Sequence, residues 1–226
     1  MNPIKGKTFV ICIPGRTFSA DFMLNLMDLL MFISSNEGKF RISVQYHSVV
    51  NASRCKCLGV DVRRGKKQKP FDGMQYDYLL WIDSDVIYKN ENFVQLLKLD
   101  KDIASGWYVQ PGQAEDGSFI SPVVESFDHE LFKKEGYYKF ESAKELEARK
   151  KPFKVEYTGF GWVLIKHGVF EKMDYPWFAP RLLTISDDIQ EMSSEDVAFC
   201  MDAKNAGFEI WLDPKCRVGH EKQFVI

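Results

Sequence analysis

Two carboxylates one residue apart, Asp83 and Asp85, follow the apolar run 78–82, which is typical of a buried strand in a parallel sheet. In open α/β sheets, ligands bind outside the carboxyl ends of the strands. Mg²⁺ or Mn²⁺ takes oxygen ligands from one or two carboxylates together with substrate phosphates. The pair therefore predicts a metal and a phosphorylated ligand at the sheet edge. The alternative is an ordinary turn, because Asp and Ser side chains bond their own backbone.

A second acidic pair, Glu195 and Asp196, opens a helix predicted over about 195–206, with Ser193 or Ser194 as its N-cap and Gly207 at its end. Acidic residues in a first turn complement the helix dipole, so capping is the simpler interpretation. The functional alternative is a general base beside a nucleophile.

His220 follows the last strand predicted from the sequence. A lone histidine is more often a surface or satisfied residue. If the sheet brings it to the edge that carries Asp83 and Asp85, it could complete a metal site with oxygen and nitrogen ligands.

Composition excludes several classes of protein. The 226 residues carry a net charge of -2 and are 45% hydrophobic, which indicates a substantial core and gives no sign of a nucleic-acid partner. We expect no membrane span and no signal peptide. Five cysteines without zinc or redox spacing indicate free thiols in a reducing, cytoplasmic compartment. The basic run 63–69 is typical of a solvated loop, with contact to an anionic substrate as the alternative.

The elements that must position these residues follow from hydrophobic periodicity. In the first half, strands and helices alternate, which predicts a doubly wound, parallel sheet. The strands are predicted at 8–13, 40–47, 78–82 and 102–108, and the helices at 21–34, 50–60 and 92–99. In the second half we predict loops at 110–121 and 175–194, a charged helix at 141–151, a glycine-interrupted strand at 155–166 and a final strand at 208–212.

Taken together, these segments resemble a known family. The order is PGRT after the first strand, IDSD after a central strand, GFGW in a later strand, then SEDVAFC, AGFEIWLDP and VGH, spanning residues 8–220. This order resembles nucleotide-sugar glycosyltransferases of the GT-A fold, similar to family 2 and to the small enzymes of phages and large viruses. The resemblance implies one GT-A domain over 1–226: a Rossmann-like, doubly wound, mostly parallel sheet. It implies a nucleotide-binding half at 1–109 and an acceptor-binding half at 110–226.

The resemblance also implies roles for single residues. Asp196 would be the catalytic base, with Glu195 as the second candidate. Asp85 and His220 would bind Mn²⁺ or Mg²⁺, with Asp83 nearer the ribose or donor sugar. The residues placed around the nucleotide and donor are Ile13, Pro14, Gly15, Arg16, Thr17, Arg54, Asp83, Ser84, Asp85, Gly161 and Trp162. Cys55 follows Arg54 where relatives often have a second Arg-Asn, which leaves the phosphate-facing role of Arg54 open.

The expected function is metal-dependent, inverting transfer from a UDP-sugar to a glycan or glycoprotein hydroxyl, in the cytoplasm, or the host cytoplasm for a viral enzyme. The chain is also compatible with being one module of a longer enzyme. Two alternatives stay open: a non-catalytic module that binds nucleotide-sugar or carbohydrate, and a sugar nucleotidyltransferase. The aromatic segment 175–181 would either shape the acceptor site or pack on the core.

Overall fold

The computed structural model describes residues 2–222, so residues 1 and 223–226 of the predicted domain lie outside the described part. Fifteen strands occur in the described residues. They are β1 Thr8–Pro14, β2 Lys39–Gln45, β3 Tyr78–Ile82, β4 Val86–Ile87, β5 Ile103–Trp107, β6 Gln110–Gln113, β7 Phe119–Ile120, β8 Val123–Val124, β9 Phe153–Val155, β10 Tyr157–Thr158, β11 Trp162–Lys166, β12 Leu182–Thr184, β13 Gln190–Met192, β14 Ile210–Arg217 and β15 Gly219–His220.

Seven α-helices accompany these strands in residues 2–222. They are α1 Ala20–Ser35, α2 Val50–Cys57, α3 Asn90–Leu99, α4 His129–Glu135, α5 Ala143–Ala148, α6 Val169–Lys172 and α7 Glu195–Asn205. Two short 3₁₀ turns, Val62–Arg64 and Pro70–Gly73, lie between α2 and β3. Within the described residues, the helices are too short or too polar for any of them to cross a membrane.

Seven of the strands form one central sheet in the order β2-β1-β3-β11-β5-β14-β9. Strands β2, β1, β3, β5 and β14 share one direction, while β11 and β9 are antiparallel to their neighbours. The predicted doubly wound, mostly parallel sheet is therefore confirmed. The position of β11 was not foreseen: a strand from the second half of the chain lies between β3 and β5 of the first half.

Both faces of the sheet are covered by apolar cores, as a doubly wound sheet requires. On one face, α1 and α3 pack through Phe22, Leu26 and Phe93 against β1 and β3. On the other face, α2, α6 and α7 cover an aromatic core. Its central members are Trp81, Phe160, Phe170, Phe178 and Phe199, whose rings stack or meet edge to face. Trp177 and Phe178 are fully buried, so this part of the aromatic segment 175–181 packs on the core.

Several predicted boundaries were wrong, each for a local reason. The helix predicted over 141–151 spans only Ala143–Ala148, because Ser142 and Glu145 form a capping box that fixes its start. The final strand extends to Arg217, with an irregularity after Leu212. The strand predicted over 155–166 is divided among the end of β9, β10 and β11; Gly159 and Gly161, between β10 and β11, lie against Tyr108 where a side chain would not fit.

The two segments predicted as loops each contain a hairpin. Strands β6 and β7 pair within 110–121, and β12 and β13 pair within 175–194. Helix α4 was not foreseen; Asp128 caps it through two backbone amides, and Gly136 ends it. The basic run 63–69 lies in an exposed turn, where Arg63, Arg64 and Lys67 pair with acidic side chains, in agreement with a solvated loop.

Candidate active site

The carboxyl ends of β1 and β3 lie side by side at the point where the chain changes direction across the sheet. From β1 the chain goes outward to β2, and from β2 it returns to β3, so β1 and β3 flank the topological switch point. This crevice is where open α/β sheets bind ligands. Gly15 follows β1 and approaches Ser84 after β3: a Cβ built on Gly15 would lie 2.6 Å from Ser84 Cβ.

A glycine at this position can serve either a close approach of the backbone or a positive φ. It does not belong to the glycines with positive φ, so the close approach is what its missing side chain permits. Its backbone N–H donates to the Gln45 carbonyl at 2.9 Å, which ties the loop after β1 to the end of β2. Next to it, the exposed Arg16 guanidinium lies over the Tyr46 ring, 4.6 Å from its centroid.

A buried guanidinium, Arg54 in the last turn of α2, holds three carboxylates together. Nη1 lies 3.1 Å from Asp83 Oδ1, and Nε lies 3.2 Å from Glu195 Oε1 and 3.3 Å from Asp196 Oδ1. The side chain is only 2% exposed and its guanidinium lies near the Phe160 ring. Burial opposes its charge, but the three carboxylates outweigh that effect and raise the pKa of Arg54. We call these four residues the Arg54 cluster.

Within the Arg54 cluster, Asp196 is the least satisfied member. Its Oδ2 accepts a long 3.4 Å bond from the Phe160 N–H, and its buried Oδ1 accepts none, because the Arg54 Nε–H donates to Glu195. Burial, followed by the nearby charges of Glu195 and Asp83, raises the pKa of Asp196 well above the usual value, although Arg54 opposes the shift. Asp196 therefore keeps unused hydrogen-bonding capacity, and its side chain is 14% exposed.

Helix capping, the simpler interpretation of the acidic pair, belongs to a different residue. Ser194 is the N-cap of α7, and its hydroxyl accepts from the Val197 N–H at 3.3 Å. The Glu195 and Asp196 side chains turn instead toward Arg54. The sequence pattern alone could not separate these roles, because both put acidic residues in a first helical turn.

A second group surrounds Asp85, in the turn between β3 and β4. His220 Nε2 and the Lys222 ammonium both lie near Asp85 Oδ2, at 3.1 and 2.8 Å. Strand β15 places His220 there by pairing with β4, and the Glu221 N–H donates to the Asp85 carbonyl. Although partial burial opposes it, hydrogen bonding from His220 and Lys222 lowers the pKa of Asp85 to about 2. We call Asp85, His220 and Lys222 the Asp85 cluster.

The second ring nitrogen of His220 decides what this cluster can bind. Nδ1 lies 2.9 Å from the Val109 carbonyl oxygen, which can only accept, so Nδ1 carries a hydrogen and the orientation of the ring is fixed. Nε2 is the ring nitrogen that faces Asp85 Oδ2, at 3.1 Å. In a metal-binding histidine, the ring nitrogen that does not bind the metal usually donates to a carbonyl, a carboxylate or water. The donor set of one carboxylate and one oriented imidazole therefore fits a divalent cation.

The predicted site residues do not all come together. Residues 2–222 contain no cluster of three or more side chains arranged to hold a metal, and Asp83 bonds Arg54. Ile13 and Trp162 are fully buried, and Trp162 stacks on Tyr88 in the core, so neither offers surface to a ligand. Pro14, Gly15, Arg16 and Thr17 remain at the accessible edge. Gly161 is buried, and its carbonyl accepts from the Asp83 N–H.

Sequence reasoning missed Lys222, Val109 and Tyr46. Lys222 carries a weak signal, a cation two residues after a suspected ligand. Val109 acts through its backbone carbonyl, which no side-chain pattern can reveal. Tyr46 lies just after the end of β2, where its position beside Arg16 depends on strand pairing.

Neither a protein-family model nor a curated protein matches this sequence. Among solved structures, GalNAc-T7 with UDP, GalNAc and Mn²⁺ aligns over 96% of this chain and 43% of its own, at 12% identity and a TM-score of 0.56. That likeness shows the fold alone. The chain has the GT-A fold. The predicted GT-A fold is confirmed, and the chain spans less than half the length of the GalNAc-T7 chain.

Two further structures align with this GT-A chain at TM-scores below 0.5. A crystal structure of A197 from STIV aligns over 97% of this chain and 96% of its own, at 17% identity and a TM-score of 0.49. An inositol-1-phosphate CTP transferase from T. maritima aligns over 96% of this chain and 89% of its own, at 10% identity and a TM-score of 0.42.

Proposed function

We propose that the chain is a metal-dependent glycosyltransferase that moves a sugar from a UDP-sugar to a hydroxyl of a carbohydrate or glycoprotein acceptor, with inversion. One observation carries the proposal. At the switch point of a GT-A sheet, the three residues 83–85 join the two charged clusters. One cluster fits a cation, and the other holds a carboxylate of raised pKa, Asp196, one oxygen of which accepts no hydrogen bond.

Asp85 and His220 would hold Mn²⁺ or Mg²⁺, the hard cations that accept carboxylate, imidazole and phosphate ligands together. When bound, such an ion neutralises the negative charge that grows on a diphosphate leaving group. The neighbouring GalNAc-T7 structure contains UDP and Mn²⁺, which supports a UDP-sugar and manganese as the first ligands to test. The Gly15 loop and the Arg16–Tyr46 pair would border the nucleoside.

Asp196 would act as the general base. In the step we propose, the acceptor hydroxyl oxygen bonds to the anomeric carbon, and the bond from that carbon to the diphosphate breaks. The hydroxyl proton passes to the Asp196 carboxylate, whose side chain is 14% exposed and whose Oδ2 accepts only a long bond from the Phe160 N–H. A raised pKa brings a carboxylate nearer the working pH, where a general base is most effective. Glu195 is the weaker candidate because its Oε1 already accepts from Arg54.

Arg54 would position these carboxylates rather than bind the diphosphate. A guanidinium that is 2% exposed and shared among three carboxylates has no free side for a phosphate. The nucleotide-binding half at 1–109 and the acceptor-binding half at 110–226 remain part of the proposal.

The test is turnover. The chain is incubated with a panel of UDP-sugars, Mn²⁺ and simple glycan acceptors, and acceptor-dependent UDP release is measured. Asp202→Asn on the same helix is the matched control for Asp196→Asn, because Asp202 pairs with Arg181 outside the cluster. We expect UDP release from the parent and from Asp202→Asn, and its loss in Asp196→Asn.

Two outcomes would replace the proposal. Mn²⁺-dependent UDP-sugar binding without release with any acceptor would favour a binding module. Pyrophosphate release from a nucleoside triphosphate and a sugar phosphate would favour a nucleotidyltransferase.

A further inference from the structure

One edge of the molecule exposes far more apolar surface than the rest. Ten of the fifteen exposed large hydrophobic side chains in residues 2–222 lie between residues 23 and 50, on α1, on β2, in the loop after β2 and at the start of α2. The central group is Met23 and Met27 of α1 with Phe40, Ile42 and Val44 of β2, which we call the apolar edge surface. Monomeric proteins rarely leave so large a contiguous patch without a partner.

The five side chains lie on one face of the sheet. Phe40, Ile42 and Val44 are in register with Phe9, Ile11 and Ile13 of β1, so each pair points the same way. The β1 members pack under α1, which therefore lies on that face. Helix α1 covers β1 but leaves the β2 members 38–43% exposed.

The backbone of β2 is also open at this edge. The Lys39 N–H donates to the Lys7 carbonyl and the Gln45 carbonyl accepts from Gly15, so the odd-numbered residues face β1. Hydrogen-bonding groups alternate along a strand in a parallel pair. The N–H and C=O groups of Phe40, Ile42 and Val44 therefore point outward from the sheet, where within residues 2–222 no strand pairs with them.

We propose that a second copy of this chain covers this edge, by antiparallel pairing of β2 with β2 of the partner about Ile42. This register puts Ile42 opposite Ile42 of the partner subunit, and Phe40 opposite Val44 of the partner subunit. All three outward residues then form hydrogen-bonded pairs, about six bonds in total. The side chains on the apolar face meet as aromatic and β-branched pairs, a favourable cross-strand combination.

The charges of β2 suit the same register. Lys39 would stand opposite Gln45 of the partner subunit, and Arg41 opposite Ser43 of the partner subunit, so no like charges face each other. Edge strands that avoid pairing usually present opposing like charges, proline or a bulge, and β2 has none of these in this register.

The dimensions agree with a two-fold dimer. Strands lie about 4.8 Å apart, so β1 and β1 of the partner would be about 14 Å apart. The two α1 helices, which pack best at about 8–10 Å, could then close over the paired β2 strands through Met23 and Met27. Methionine adapts to such gaps. Apart from Tyr46, which lies with Arg16 at the switch point, the exposed side chains of this edge offer on the order of 650 Å² per chain, at about 150 Å² for a fully exposed large side chain. A standard interface buries about 800 Å² per partner.

Light scattering after size exclusion tests the proposal. We expect the parent to have twice the mass of the chain, and Ile42→Lys to have the mass of one chain, because it places two ammonium groups opposite each other. The matched control is Leu182→Lys, an apolar-to-lysine change at an exposed position of the β12–β13 hairpin, which should stay dimeric. Thermal unfolding of the two lysine variants should show a cooperative transition for each, which checks that both are folded.

A cysteine pair tests the register even if Ile42→Lys fails to fold. All five native cysteines are buried, so background cross-linking is low. Ile42→Cys should form a disulfide dimer on mild oxidation, because directly opposed residues lie about 5.5 Å apart between Cα atoms. Phe40→Cys, opposite Val44 of the partner subunit, should not. A parent with the mass of one chain, a dimer that survives Ile42→Lys, or equal cross-linking by both cysteines would overturn the proposal. So would a single-chain parent that sediments with lipid vesicles, since the edge would then meet a membrane surface.

Discussion

The two charged clusters stand on either side of Ser84 but are built in opposite ways. In the Arg54 cluster, the arginine is 2% exposed and three carboxylates share it. In the Asp85 cluster, one carboxylate has two cationic or imidazole neighbours, and Asp85 and Lys222 are about 40% exposed. The first has an excess of negative charge in a buried place; the second has its charge compensated and open to water.

Because of this difference, the Arg54 cluster holds the elements of the site together, and the Asp85 cluster is the part that can exchange its partners. Buried charges are costly to leave unpaired, so the Arg54 cluster links α2, β3 and α7 into one arrangement. Exposed ion pairs contribute little and exchange partners readily, so the Asp85 cluster can accept an ion or a phosphate at small cost. The two aspartates of the Asp-Ser-Asp segment therefore serve different structural roles.

If Arg54 holds the buried cluster together, its removal should cost much more stability than the removal of an exposed arginine. Arg54→Met should lower the free energy of unfolding by about 3–5 kcal/mol, because it leaves three carboxylates without their buried partner. Chemical denaturation measures this. Arg63→Met is the control, since the Arg63–Asp61 pair is exposed and its loss should have no measurable effect. Equal stability of the two variants would show that the Arg54 cluster does not hold the elements together.

Asp196→Asn should separate activity from stability. Transfer should fall by about 10²–10⁴-fold, the usual contribution of a general base. Stability at neutral pH should hold or rise, because the amide removes a buried charge. Steady-state kinetics and thermal unfolding of the same protein measure both. A variant that transfers at the parental rate would remove Asp196 from the mechanism.

The pKa shifts of Asp196 and Asp85 predict opposite dependences of folding stability on pH. A carboxyl whose folded pKa is raised stabilises the fold below its unfolded pKa, about 3.9, and this stabilisation is lost as pH rises through the raised value. The stability difference between Asp196→Asn and the parent should therefore grow as pH rises above about 4. The ionisation of Asp85 has the opposite effect. Its lowered pKa of about 2 stabilises the fold at pH values above about 3.9, and this stabilisation is lost as the pH falls toward 2.

Asp85→Ala should abolish metal-dependent donor binding while the fold remains, because Asp85 lies at an open turn. In the parent, UDP with Mn²⁺ at about 100 times its dissociation constant should add about 2.7 kcal/mol of stability. A thermal shift with and without Mn²⁺ measures the loss. His220→Ala should lose only part of the effect, since Asp85 and the diphosphate remain. A full Mn²⁺-dependent shift in Asp85→Ala would refute the metal assignment.

Gly15→Ala tests the link between the two clusters from the other side of the crevice. The added Cβ would meet Ser84 at 2.6 Å and displace the segment that joins Asp83 to Asp85. We expect a loss of about 1–3 kcal/mol in stability, as for overpacking elsewhere. Adding Ser84→Gly should restore most of it, with Ser84→Gly alone as the reference. If the double variant is no more stable than Gly15→Ala alone, the strain does not come from the contact with Ser84.

The smallest expected effect is that of Lys222 on the affinity of the Asp85 cluster for Mn²⁺. Lys222→Met removes the ammonium that occupies Asp85, so Mn²⁺ alone should bind about two- to fivefold more tightly, as expected for an exposed ion pair of about 0–1 kcal/mol. Calorimetry measures the affinity, with the exposed Lys215→Met as control. Weaker Mn²⁺ binding would mean that Lys222 supports the site rather than competing for it.

The sequence by itself determined the strand and helix alternation of the first half, and through it the doubly wound sheet. It also determined which carboxylates end up at the sheet edge. Hydrophobic periodicity is local, so strands such as β1 and β3 can be located without tertiary information. The aspartates at 83 and 85 could be placed because a strand's carboxyl end is fixed by where its apolar run stops.

The tertiary structure alone decided the partners of those residues. Arg54 and Asp196 are 142 positions apart in the chain, and only the placement of α2 and α7 on the same face of the sheet turns a suspected phosphate ligand into the centre of a carboxylate cluster. The insertion of β11 between β3 and β5 likewise depends on long-range pairing. Burial, which raises the pKa of Asp196 and removes Trp162 from the site, is a property of the whole packed molecule and has no local signature in the sequence.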